Sequence, residues 1–283
     1  MNFFDKFLKI DRRYIFILVA IGVVIPLVFP LGLAVTVSPP VKNVYDEIES
    51  LKPGTPVLVS VDFDPSTEPE LGPMTAAVLR HCFKRKLPVI LMNLHPGGPG
   101  LALAISDKVA KETGAKEGVD YCFLGYKAGG TAVILSIGRD IRLSYPADYY
   151  NKPIDQIPMM KNIRSYSDIG LVVTLSGSTF PDVWVAYAHE RFGAKIAAGV
   201  TAVMAADYYP YLSTGQMIGL IGGLKGAAEY EKLIGVPGNG LKGMDAQTII
   251  HLLIVLLIIL GNIAFLLMRR QQRRGEQTRP SGA

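Results

Sequence analysis

Cysteine is scarce in this chain: Cys82 and Cys122 are the two in 283 residues, and both lie in apolar stretches without CxxC or metal-ligand histidine spacing. That excludes a disulfide-built scaffold and a cysteine zinc site, and both residues read as buried free thiols, with a disulfide between them open only if the domain lies in an oxidising compartment. The four histidines show no ligand spacing among themselves, so no metal is expected. Nucleotide fingerprints are missing as well. The glycine-rich stretch 96–100 fits neither G-x-G-x-x-G nor the P-loop pattern and holds no lysine, so no cofactor is expected. Internal repeats and low-complexity tracts are absent, which excludes solenoid and fibrous architectures.

A net charge of +5 and a pI near 9.1 would suggest nucleic acid, but the excess sits in the tails. Residues 1–37 carry four basic and two acidic side chains, and 246–283 carry five arginines against Glu276. The remainder is nearly neutral. Nucleic acid is therefore excluded as an expected partner, and Lys84-Arg85-Lys86 reads as the solvated end of a helix.

Long uncharged runs are what the chain does have. Residues 248–268 are 21 residues without a formal charge, followed by Arg269, Arg270, Arg273 and Arg274. At about 1.5 Å per helical residue they match the roughly 30 Å apolar thickness of a bilayer. A second run, 14–35, follows Lys9, Arg12 and Arg13 and exceeds the usual apolar length of a signal peptide, so a retained anchor is expected, kinked at Pro26 and Pro30. With cationic flanks on one side, the expectation is a two-span protein of the cell membrane. Tails 1–13 and 269–283 are cytoplasmic, 14–35 and 248–268 are spans, and 38–245 is an extracytoplasmic domain. His251 and Asn262 would be costly against lipid, so they point to packing against the first run or against a neighbouring copy.

Between the runs, short β-rich stretches alternate with helical ones. Strands are expected over 57–63, 89–94, 121–125, 169–175 and within 195–206, and helices over 41–51, 73–86, 100–113, 180–192 and 213–233. Segment 131–143 fits either state, 145–167 is a proline-rich lid or surface excursion, and 235–245 is a flexible return to the membrane. Near-continuous apolar strands linked by helical crossovers imply an α/β fold with a mostly parallel, doubly wound sheet. The expectation is a Rossmann-like or flavodoxin-like three-layer domain of about five strands.

In such sheets ligands bind beyond the carboxyl ends of the strands. There the sequence places Asp62, Asp64, His95 with the loop 96–100, Ser176 and Ser178 with Asp182, and Thr201, Asp207 and Tyr208. Asp62 and Asp64 are spaced to share a strand face, and His95 has the chemistry of a general base. Caps and turns use the same residue types, so no catalytic assignment follows. Segment 205–208 (AADY), followed by 212–215 (LSTG) with Gly219 and Gly222, together with 86–89 (KLPV) and 96–98 (PGG), resembles parts of membrane-bound signal-peptide-peptidase-type serine proteases. The resemblance implies a hydrolase with a serine nucleophile and puts Ser213 among the rim residues. No serine follows the 86–89 stretch in a small-residue loop, and the pieces occur in a different order.

Gly215, Gly219 and Gly223 recur every fourth residue in the expected 213–233 helix, where interior glycines are unfavourable unless a backbone must approach closely. With Tyr208, Tyr209 and Tyr211 upstream, they read as a self-association face. Two functions remain open from sequence: a non-enzymatic assembly, binding or sensing module in a membrane complex, with a homo-oligomer or other membrane proteins as partners, or an extracytoplasmic hydrolase.

Overall fold

The alternation of buried strands with helices builds a six-stranded, wholly parallel sheet in the order β3-β2-β1-β4-β5-β6. The computed structural model describes residues 11–29 and 31–277, with side chains through Arg270. Residues 1–10, Pro30, the end of the C-terminal tail and the side chains of Arg273 and Arg274 lie outside the described residues. The chain forms two compact units, 34–241 and the pair 1–33 with 242–283.

In the larger unit the elements run α2 (Pro39–Ser50), β1 (Val57–Asp62), α3 (Glu68–Lys84), β2 (Val89–Asn93), α4 (Pro99–Thr113), β3 (Tyr121–Tyr126), α5 (Gly130–Arg139), β4 (Leu171–Ser176), α6 (Phe180–Trp184), β5 (Ile196–Val200), α7 (Ala205–Ser213), β6 (Gly219–Gly222) and α8 (Gly223–Ile234). Every residue of β1, β2, β4 and β5 is buried, because helices or turns cover both faces. Val57, Val59 and Val61 point into one core with α2, α3, α4 and α8. Leu58 joins a second core with α5, α6 and α7 on the opposite face. Between α5 and β4 the proline-rich stretch forms four 3-10 turns, and its Ile154, Ile157, Met160 and Tyr166 fill the second core in place of a helix.

Several expectations need correction. The 213–233 helix does not exist. The stretch splits into the end of α7, a turn in which Gly215 takes a left-handed φ of 78°, strand β6, and α8 beginning at Gly223 with φ 61°. Gly219 is buried because a Cβ there would stand 2.7 Å from the Pro40 carbonyl oxygen and 2.8 Å from the Val44 nitrogen. Gly219 thus seats α2 on the sixth strand, and no face of one helix carries the Gly215-Gly219-Gly223 row. Helix α3 starts at Glu68, with Pro69 in its first turn and Pro73 inside it.

In the smaller unit α1 (Arg12–Val28) is 17 residues long. Phe29 leaves the helix and Gly32 turns left-handed, at φ 64°, which cuts the 14–35 run short. One helix among the described residues, not two, is long and apolar enough to cross a bilayer: Asn239–Arg270, 32 residues within α9 (Asn239–Gln277). The expected flexible return is helical from Asn239 onward. Glu231, 1% exposed, accepts the N–H groups of Gly238, Gly240 and Leu241 at 3.0, 2.9 and 2.8 Å and so caps the first turn of α9.

Within the smaller unit, α1 lies against α9 at Gly22, where a Cβ would meet Ile250, Ile249 and Leu253 at 3.3–3.7 Å. The buried carboxylate of Asp245 accepts from the N–H groups of Leu31, Gly32 and Leu33 at 2.9–3.0 Å. Asn262 donates to the Ile258 carbonyl of its own helix, so its polar group is satisfied within the helix that carries it. His251 is exposed.

Candidate functional site

The strand order reverses direction between β1 and β4, and the register brings Asp62 beside Ser176 at their carboxyl ends. That switch point is where an open α/β sheet presents its ligand crevice. Three loops meet there. A Cβ on Gly98 would lie 2.5 Å from the Val61 carbonyl oxygen and 2.6 Å from Asn93 Nδ2, so glycine is required for the start of α4 to reach the ends of β1 and β2. A Cβ on Gly177 would lie 2.7 Å from Thr67 Oγ1, and one on Gly97 would lie 3.0 Å from Asp64 Cβ. The loops after β2 and β4 therefore each touch the loop after β1.

Asp62, the last residue of β1, is fully buried. Its Oδ2 accepts from the Ser60 hydroxyl at 2.6 Å, and its Oδ1 from the Leu94 N–H at 2.5 Å. Burial raises the carboxyl to about 6, against the lowering effect of the Ser60, Leu94 and His95 hydrogen bonds. Asp64 does not pair with it. The strand ends at Asp62, and Asp64 opens a turn in which its Oδ1 accepts the Ser66 N–H and hydroxyl, which hold its carboxyl below the usual range. His95 Nδ1 accepts the Gly97 N–H at 3.1 Å.

Ser176 is buried, and its hydroxyl takes the Ser178 N–H at 3.0 Å and lies 3.1 Å from the Ser178 hydroxyl. The two serines close their own loop. Asp182 in α6 accepts the hydroxyls of Tyr208 and Tyr211 at 2.9 and 2.8 Å, which ties α7 to α6. Tyr208 is thus a buried brace, whereas Tyr209 is 55% exposed. Asp207 is exposed, and Ser213 donates to the Pro210 carbonyl at the end of α7, outside any capping box.

No family model, curated protein or solved structure matches this chain. Function therefore has to be argued from the geometry. The carboxyl ends of β1, β2 and β4 and the loops that follow them carry Asp62, Asp64, His95, Ser176 and Ser178, and Asp182, Tyr208 and Tyr211 form a separate clasp. Sequence reasoning missed Tyr145. The proline-rich turns bring its buried phenol near Asp62; burial first, then that carboxylate, push its ionisation well up. It also missed Glu49, His81 and Tyr230, which form a hydrogen-bonded chain on the opposite face of the sheet. The one signal available was a histidine on the apolar stripe of a helix.

Beyond the β5 end, Val203 is 89% exposed, next to exposed Ala202, Ala206 and Tyr209. The rim hydroxyls, by contrast, are engaged with one another and with backbone.

Proposed function

We propose that this protein is a non-enzymatic binding or assembly module of a membrane complex, anchored by a helical hairpin, with the 38–245 domain outside the cytoplasm. The observation that carries the reading is the exposure of the apolar helices. Leu252, Val255, Leu256, Ile259 and Phe265 of α9 and Phe16, Ile17 and Ile21 of α1 are all 49% exposed or more. Such a surface is stable only in an apolar solvent. The packing of Gly22 on α9 supports α1 as the second arm of the hairpin, although it is shorter than α9. Arginines 269 and 270 and those at 12 and 13 favour the cytoplasmic side for both ends.

The engagement of Ser176 with Ser178, and of His95 Nδ1 with Gly97, supports binding over hydrolysis, because a serine nucleophile needs a base at its hydroxyl. The test is a Val203→Cys chain, in which the native Cys82 and Cys122 are buried and silent. A membrane-impermeant maleimide should label it in intact cells, while a Ser281→Cys chain should react only after permeabilisation. The opposite pattern would remove the proposed compartment and, with it, this reading.

A further inference from the structure

On the face of the sheet covered by α2, α3, α4 and α8, three side chains from three helices form a single hydrogen-bonded chain. His81 of α3 has Nδ1 2.7 Å from the Tyr230 hydroxyl of α8 and Nε2 2.9 Å from Glu49 Oε1 of α2. Tyr45 of α2 stacks on the imidazole with ring centroids 4.7 Å apart. Tyr230 is 0% exposed, His81 is 1% exposed and the Glu49 side chain is 36% exposed, so the chain runs from solvent to the interior.

The protons can be placed in one way that satisfies every group. With a neutral ring carrying Nε2–H, the Tyr230 O–H donates to Nδ1 and Nε2–H donates to the Glu49 carboxylate. A second ring proton turns Nδ1 into a donor. Among the described residues Tyr230 has no other hydrogen-bond partner, so its hydroxyl hydrogen would then be stranded in the core. Glu49 favours the imidazolium, whereas Lys84 and the Arg85 guanidinium, whose Nε is 3.6 Å from Glu49, oppose it. The remaining neighbours do not offset this. Cys82 is a neutral thiol pushed up to about 12, Asp46 acts on the Tyr45 phenol, and Tyr230 is held neutral by burial. Desolvation dominates and holds His81 below its ordinary value.

Neutral His81 therefore bonds α3 to both α2 and α8; on protonation the Glu49 bond persists as an ion pair, and the cost falls on the buried charge and on the Tyr230 side of the ring. Helices α2 and α8 carry the connections to the apolar segments. Ser38, just ahead of α2, bonds to Glu229 of α8 through its N–H and hydroxyl, Lys232 of α8 donates to the Val35 carbonyl at 2.6 Å, and α8 leads into α9. We propose that Glu49, His81 and Tyr230 form an acid-sensitive latch, whose weakening on protonation of His81 loosens α8 from α3. The effect on the membrane segments rests on the anchored reading above, but the latch does not.

The sign follows from linkage. A base held below its ordinary value in the closed state keeps the latch fully closed above about 6.5, and closure weakens as pH falls from there toward the lowered value, by at most about tenfold per unit for one proton. Cys82, next to His81 and fully buried, reports opening through its thiol. The experiment uses the full-length Cys122→Ala chain in detergent micelles. Reaction of Cys82 with 4,4′-dithiodipyridine is measured from about pH 7.5 to 5, and each rate is divided by that of the denatured chain at the same pH. The expected result is a relative rate that is flat above about 6.5 and rises several-fold by pH 5.5. His81→Gln, which cannot take up a ring proton, should abolish the rise. A flat wild-type profile overturns the proposal, as does a full wild-type rise in His81→Gln. Val203→Cys labelling tests the anchored reading separately, so the two failures are distinguishable.

Discussion

Removing the Glu231 carboxylate should be among the most damaging single changes outside the apolar core. It lies 1% exposed beneath the 235–241 turn and accepts three backbone N–H groups at 2.8–3.0 Å. The contact is close enough that a Cβ on Gly238 would fall 2.4 Å from Glu231 Oε1. A hydrogen bond to a charged acceptor contributes roughly 1.5–3 kcal/mol. In Glu231→Ala the N–H of Gly240 stays buried and unpartnered, while those of Gly238 and Leu241 are only part-buried and regain water. The expected loss is therefore about 3 kcal/mol, or roughly 6–12 °C in Tm for a domain of this size. Glu231→Gln keeps the length and one acceptor oxygen but turns an amide toward the other donors, and should lose a comparable amount or somewhat less. Thermal unfolding of the full-length chain in detergent reads both variants. A fall in Tm of less than about 2 °C for Glu231→Ala would refute the claim that this carboxylate organises the start of α9.

Other perturbations have equally definite outcomes. Asp62 is raised to about 6 from 3.8, so it opposes folding as pH climbs through that window, by about 3 kcal/mol once fully ionised. Asp62→Asn should thus remove the decline in stability between about pH 4 and pH 6, and denaturant titrations showing the same decline in the variant would exclude the buried charge as its cause. Gly219→Ala should destabilise the domain by about 2 kcal/mol or more, through collision with Pro40 and Val44, while leaving the detergent-solubilised mass unchanged; a change in oligomeric state without loss of Tm would restore a self-association role. Asp182→Ala should strand the hydroxyl of Tyr208, 2% exposed, at a cost of about 1–3 kcal/mol, and hydrogen exchange should locate the loosening in α7.

Periodicity made the sheet legible because parallel strands covered on both faces are nearly uninterrupted apolar runs. Val57–Asp62, Val89–Asn93 and Leu171–Ser176 fall where those runs predict. The sixth strand was hidden by its composition. Gly219–Gly222 is half glycine, and its strand state comes from β5 on one side and α2 on the other, neither of which is local. The same non-local cause separates Gly215, Gly219 and Gly223 from the helical repeat they mimic. The 14–35 run reads as one span by hydropathy, but the chain leaves helical geometry at Phe29, and Asp245, more than 200 residues away in sequence, gathers the N–H groups beyond it. The position of the rim residues at the strand ends was legible and their hydrogen-bond partners were not. Asp62 and Asp64 look paired only while the strand is assumed to continue. The Glu49, His81 and Tyr230 chain was illegible for a simpler reason: three helices far apart in sequence contribute one residue each.

The single tryptophan, Trp184, is wholly buried in the second core, and Cys82 is wholly buried in the first. The two layers of the domain thus carry different natural reporters, one fluorescent and one chemical, separated by the sheet. Following Trp184 emission and Cys82 protection in the same Cys122→Ala sample asks whether the layers come apart as one cooperative unit or as two.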